Sequence, residues 1–409
     1  MEITERIKNS IDHGKYGCGI FIDLKKAFDT VNHKILLDKL DHYGVRNELL
    51  KWFESYLTDR KQYVFHNGES STLKDITCGV PQGSVLGPLL FLIYINDLPN
   101  TSDKLKFFLF ADDTNIYFES NNLQSMEKTI NTELKQLNVW LNVNRFALNI
   151  SKTNFVIFRT CNKPLKNVTL KINKKAIAQK DHIKYLGITI DCHLNWKQHI
   201  INVSKKISRS IGIMYKLREY MNTNMLKNIY YSLIYSYIVY AIQVWGSACD
   251  TELETILKLQ KKAVCMMTRK ERNPVAPDTY THSDPLFKEL GILKVADVYK
   301  LQVSKFIFSC LCYNVPTIFE SWFVLNNSVH NYNTVANANI VMLNYFKIGN
   351  VLGTNILHTE GSRLVNYGGK MLKVAGPKLW NGLPSNIRNA RSLYCFKYLM
   401  KNFLLGQYE

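Results

Sequence analysis

Leu105-Lys106-Phe107-Phe108-Leu109-Phe110-Ala111-Asp112-Asp113-Thr114-Asn115-Ile116-Tyr117-Phe118 decides the fold of this chain. Apolar and aromatic residues on both sides of the two acids favour a pair of strands. Ala111 to Thr114 supply turn formers between them. The pattern predicts a hairpin with two carboxylates at its tip. Adjacent carboxylates repel unless a cation or a proton neutralises them, and their oxygens suit a hard ion such as Mg²⁺. A lone Asp-Asp pair is usually a solvated turn, so further acids must decide.

The third acid is Asp23. It closes Cys18-Gly19-Ile20-Phe21-Ile22-Asp23, a short apolar run that reads as a buried strand. A charge at the end of such a strand must face a ligand, a donor or water. Val31 to His42 then predicts a helix, with Gly44 as its stop. A strand-end carboxylate facing two more on a hairpin suits two-metal phosphoryl transfer. In that chemistry one ion activates an attacking 3′-oxygen and the other neutralises the leaving pyrophosphate. Between the acids lies Gly79-Val80-Pro81-Gln82-Gly83-Ser84-Val85-Leu86-Gly87-Pro88, whose glycines allow close approach to a ligand. Gln82 offers an amide to a nucleotide or template base, and Leu89 to Ile95 predicts a packed helix. By itself the loop reads equally well as a structural turn.

Taken together, FIDLKKAFDTV, GVPQGSVLGPLLFLIYINDL and FADDT resemble blocks A, B and C of non-LTR retrotransposon reverse transcriptases of the jockey/LINE-like kind. Leu148-Asn149-Ile150-Ser151-Lys152-Thr153 resembles block D, and Lys184-Tyr185-Leu186-Gly187-Ile188 resembles block E. Tyr240 to Gly246, Leu259 to Ala263 and Gly376 to Asn381 resemble the family's C-terminal portion. The resemblance implies an α+β fold: a palm of antiparallel sheet with packed helices, then a mainly α-helical thumb and a C-terminal region. It implies Asp23, Asp112 and Asp113 as catalytic metal ligands for two Mg²⁺, with Mn²⁺ as the alternative ion. Phe28 falls at the steric gate against a ribose 2′-OH. Gln82 and Gly83 would line the incoming nucleotide, and Lys152 would sit near its triphosphate. Tyr185, Leu186 and Gly187 would grip the primer. An RNA template, a DNA primer and deoxynucleoside triphosphates are the implied partners, and the nucleus the implied location. Few residues precede Asp23, so an N-terminally truncated copy with only a remnant of fingers is expected. A nucleic-acid-binding remnant without catalysis is the alternative.

Charge agrees with such partners. Lys and Arg total 52 against 33 Asp and Glu, a net +19, which favours a polyanion held by phosphate neutralisation. The basic residues are dispersed, which suits a groove better than a tail. Nine cysteines lack paired or zinc-type spacing, Cys310-Leu311-Cys312 included, so reduced intracellular thiols are expected. No signal peptide is read at the start. Ile229 to Trp245 is apolar but interrupted by serines, Gln243 and tyrosines, and reads as a buried helix, not a membrane span.

Three regions are expected: a palm over 1–190, a helical thumb over 191–272 and a C-terminal region over 273–409. Leu123, Met126, Ile130, Leu134, Leu137 and Leu141 recur at helical spacing within Asn121 to Leu141. Thr4 to Ile11 reads as the tail of a helix. Strands are expected at Asn154 to Phe158 and Val168 to Ile172. Lys205, Lys206, Arg209, Lys216 and Arg218 are candidates to follow a duplex backbone. Asn273 to Pro277 is a candidate linker and Asn326 to Asn339 a candidate loop. Helices are expected around Lys294 to Cys312 and Ser392 to Leu405.

Overall fold

The computed structural model describes residues 1–268, 283–325 and 356–408. The expected linker at 273–277 and loop at 326–339 lie outside them. The chain divides into two compact units. One is Gly14–Gly187 with Asp191–His193; the other is Met1–His13, Ile188–Ile190 and Leu194–Glu409.

The first unit is built on a five-stranded sheet. Its strands are β1 (Tyr16–Ile22), β2 (Lys106–Phe110), β3 (Asp113–Ser120), β4 (Asn154–Phe158) and β5 (Ala178–Gln179), in the order β5-β4-β1-β3-β2. All seven residues of β1 are buried, as a central strand covered on both faces requires. The expected antiparallel sheet needs one correction. β5 runs parallel to β4, pairing Ala178 with Asn154 and Gln179 with Phe155, because the chain loops out and returns along the outer edge. The strand expected over Val168 to Ile172 shrinks to Lys171–Ile172, which pairs with Lys175–Ala176. Asn173 and Lys174 turn the chain there with positive φ.

Helices cover the sheet. The first helix of the chain, α1 (Glu2–Asp12), belongs to the second unit. In this unit are α2 (His33–His42), α3 (Asn47–Leu57), α4 (Leu86–Ile95) and α5 (Leu123–Val143). All six apolar residues picked out in α5 by their spacing are buried against the core with Ile20, Ile22 and Ile116. Each such side chain contributes about 1.5–3 kcal/mol. α2 starts after the expected Val31, because the Asn32 side chain accepts from Ile35 N at 3.1 Å and caps it. α4 starts before the expected Leu89, since Pro88 is tolerated in a first turn.

The second unit is helical: α6 (Lys197–Leu217), α7 (Thr223–Tyr230), α8 (Asp250–Met267), α9 (Asp284–Leu290), α10 (Val295–Leu311), α11 (Leu372–Asn381) and α12 (Leu393–Leu405). Ile229 to Trp245 is not the single helix expected. α7 ends at Tyr230, a π-turn spans Tyr231–Tyr235, and Ala241 at φ 51° breaks the following turns. Trp245 Nε1 donates to the freed Tyr240 carbonyl at 2.9 Å, so the break is satisfied. Among the described residues no helix is long and apolar enough to cross a membrane. α1 is stitched to the C-terminal segment of its own unit. The buried Asp12 carboxylate accepts from Arg363 N at 3.0 Å and Leu364 N at 2.6 Å, and Glu5 accepts from Leu372 N at 2.7 Å.

Candidate active site

The hairpin between β2 and β3 is tighter than the sequence suggests. Phe110 pairs with Asp113, so only Ala111 and Asp112 make the turn. Ala111 sits at φ 51°, a strained position for a residue with a Cβ. Thr114, expected in the turn, is instead a buried strand residue. Asp112 and Asp113 are exposed at the hairpin tip.

The register brings Asp23 to the same end of the sheet. Ile22 pairs with Thr114 across β1 and β3, so the next step along both strands sets Asp23 opposite Asp113. The carboxylates sense one another. Burial pushes the Asp113 carboxyl above the usual 3.8, and the neighbouring charges of Asp112 and Asp23 push it the same way. Beside them the Thr114 hydroxyl and the Asn115 side-chain oxygen are buried without a hydrogen-bond partner. Neighbouring carboxylates offer the oxygen donors that a hard divalent ion takes, and such an ion would relieve their repulsion. Among the described residues, no group of three His, Cys, Asp or Glu side chains is gathered as a finished ligand set.

Two loops are fastened to this end. Asn149 N donates to the Asp23 carbonyl at 2.9 Å, Asp23 N to Thr153 Oγ1 at 3.3 Å, and Lys25 N to the Ala147 carbonyl at 2.8 Å. Lys152 lies on that segment with its side chain exposed. The second loop, at Gly79 to Gly87, is tied to the turn after β1. Val80 N donates to Phe28 O at 2.9 Å and Gly79 N to Val31 O at 2.7 Å. His33 Nε2 contacts the Gly79 carbonyl at 2.7 Å. Phe28 is half-buried and stacks on Phe91, ring centroids 4.3 Å apart. Gln82 donates its amide to Asp29 Oδ1 at 2.7 Å. Tyr185 reaches the site from the strand His182–Tyr185 and packs edge-on to Phe21 at 5.3 Å. Burial, and then the charge of Asp113, push its phenol up to about 12. Leu186 and Gly187 follow at φ 44° and 79°, both positive, as a tight two-residue hairpin turn demands.

Residues 2–190 match the family described as reverse transcriptase (RNA-dependent DNA polymerase). Residues 2–190 thus form a reverse transcriptase domain. The RNA-directed DNA polymerase from mobile element jockey of Drosophila melanogaster is 29% identical over 303 residues, 72% of this chain and 32% of that protein. The probable RNA-directed DNA polymerase from transposon X-element of the same species is 29% identical, over 65% of this chain and 30% of its own length. The chain is therefore similar to reverse transcriptases of non-LTR retrotransposons, and it spans about a third of these relatives' length. Apo telomerase from Candida tropicalis overlays 78% of this chain and 55% of its own at 12% identity, with a TM-score of 0.37, too low to carry weight.

The structure sets Asp23, Asp112 and Tyr185 each within electrostatic reach of Asp113, and ties the segment carrying Lys152 to the Asp23 backbone. Phe28, Gln82 and Gly83 sit on the two joined loops, and Gln82 is engaged with Asp29, not free. Asp29 is the residue that sequence reasoning missed. Its partner lies 53 positions away, and nothing in the local pattern marks it. None of the nine cysteines is joined in a disulfide among the described residues.

Proposed function

We propose that the chain carries RNA-templated DNA synthesis, transferring a deoxynucleotide to a primer 3′-hydroxyl at the end of the sheet where Asp23, Asp112 and Asp113 converge. That convergence is the observation that carries the reading. The sheet unit acts as the palm and the helices after Leu194 include the thumb, within regions 1–190, 191–272 and 273–409. Two Mg²⁺ held by the three carboxylates would supply Lewis-acid activation of the primer hydroxyl and charge neutralisation on the pyrophosphate.

The chain's own residues do the rest. Phe28, braced by Phe91, presents a ring edge where a ribose 2′-OH would clash. Asp29 holds Gln82 so that the loop around Gly83 keeps one shape beside the nucleotide. Lys152 supplies a proton to the leaving pyrophosphate. Tyr185, Leu186 and Gly187 support the primer end, with Tyr185 as a neutral donor beside Asp113. An RNA template, a DNA primer and deoxynucleoside triphosphates are the partners, and the nucleus is the place of action.

Divalent-ion binding tests this reading. Titrating Mn²⁺ into the full chain and following paramagnetic broadening should show tight sites in the native sequence. Asp113→Asn should weaken them at least about tenfold by removing one of three charges. Broadening that ignores the substitution would place the ions elsewhere and sink the assignment.

A further inference from the structure

A second, differently built site lies in the helical unit, on residues to which the catalytic reading gives no role. From Gly361 to Tyr408 there is no Asp or Glu, against eight Lys and Arg. Within this stretch α12 divides into two faces. Phe396, Met400 and Leu404 are buried, with Phe396 stacked on Phe308 of α10 at 4.8 Å. Tyr394, Lys397, Tyr398 and Lys401 recur at the three- and four-residue steps of a single helix face. Tyr394 is 82% exposed and Tyr398 62%.

Two more lysines from elsewhere in the unit meet this face. Lys305 on α10 lies near Lys397, and Lys227 on α7 near Lys401. The Lys401 ammonium lies beside Gly291, whose carbonyl accepts from Tyr231 OH at 3.3 Å. Tyr231 follows Lys227 by one helical turn, so α7, α10 and α12 converge there. Among the described residues none of these four lysines makes an ion pair. Burial, and then their lysine neighbours, push the Lys305 and Lys401 ammonium groups down from the usual 10.5. Half-buried cations crowded together without a carboxylate destabilise a fold unless an anion joins them.

We propose that Lys227, Lys305, Lys397 and Lys401, with Tyr394 and Tyr398, form a binding site for single-stranded nucleic acid. The lysines offer positive charge to the phosphates of a strand. The two exposed rings, one helical turn apart on the same face, offer planes on which bases stack, a combination suited to unpaired strands. Inorganic phosphate or an acidic peptide would use the lysines but has no use for the rings. The site stands whether or not the carboxylates support synthesis.

The test uses the full chain and a fluorescent homopolymer single strand, with affinity measured across a salt series. Lys397→Gln with Lys401→Gln should flatten the log–log salt slope by about 1.4, since each single-strand phosphate contact contributes about 0.7. Tyr394→Ala with Tyr398→Ala should cost about tenfold in affinity and leave the slope unchanged. Inorganic polyphosphate, which has no bases, should lose affinity with the lysine pair only. The lysine variant should melt no lower than the parent, because it relieves repulsion. Should it unfold, Lys397→Gln alone, at an exposed position, should still change the slope by about 0.7. An unchanged slope overturns the site. Single-strand binding that ignores the tyrosine pair reduces it to an anion patch and overturns the nucleic-acid assignment. Asp112→Asn should leave all these differences intact, which separates failure here from failure at the carboxylates.

Discussion

Gly79→Ala should damage the joined loops far more than Gly83→Ala, and the difference follows from their surroundings. Both glycines hold positive φ, +90° at Gly79 and +83° at Gly83. An alanine at either meets backbone strain of roughly 1 kcal/mol. At Gly83 nothing lies within 4 Å of the new methyl, so strain is the whole cost. At Gly79 the methyl would meet Asp29 backbone atoms at 2.9, 3.0 and 3.1 Å, and backbone cannot swing aside. The loop would have to move. That movement stretches the Gly79 N to Val31 O, Val80 N to Phe28 O and His33 to Gly79 O contacts. Each is worth about 1 kcal/mol. Losing one or two brings the cost to roughly 2–3 kcal/mol for Gly79→Ala, against about 1 for Gly83→Ala. With two compact units, a single global unfolding curve is the wrong assay. Hydrogen exchange at the amides of position 79 and of Val80 reads the loop directly, and protection there should fall by roughly 10–100-fold only in Gly79→Ala. Equal loss in both variants would refute the close approach to Asp29.

Further outcomes follow from the same geometry. Asp113 has a raised carboxyl pKa, so in metal-free protein its folded-state proton is held above 3.8, where the unfolded chain releases its own. Stability should therefore fall as pH rises from about 3.8 through the raised value. Asp112→Asn removes one cause of the rise and should narrow that window in a ¹³C carboxyl titration; an unmoved Asp113 would contradict the coupling. Tyr185, at about 12, should stay neutral throughout the working range, so the rate profile should show no break near 10. Tyr185→Phe keeps the edge contact with Phe21 and should remove any phenol ionisation seen near 12. Phe28→Ala deletes the stack on Phe91 and should cost about 2–3 kcal/mol locally, because the ring is only half-buried. It should also admit ribonucleotides more readily in single-nucleotide incorporation; unchanged sugar selectivity would remove Phe28 from the gate.

Much of the site could be read in the sequence because its chemistry sits on regular elements. Asn154 to Phe158 and the apolar stripe of α5 appear where expected, the strand as a continuously buried apolar run and the helix by its three-to-four-residue period. That Asp23 would face the hairpin was expected from the order of the resembling blocks, and the β1–β3 register sets it at that end. What escaped depends on long-range partners. The parallel β5 rests on two residue pairs, too short to leave a pattern. The grip of Asp29 on Gln82 spans two loops. The break near Tyr240 is set by tertiary packing around Trp245, which overrides an apolar run that reads as continuous helix. The lysine face on α12 gathers residues from three helices, so only the acid-free composition after Gly361 hinted at it.

Primer extension on an RNA template tests the central claim most directly. With Mg²⁺, a DNA primer and deoxynucleoside triphosphates, the chain should lengthen the primer. Asp112→Asn, which keeps shape and removes one charge, should reduce the rate by about 10³-fold or more. Extension that survives Asp112→Asn unchanged, or a chain that binds the hybrid and never extends it, would contradict the account.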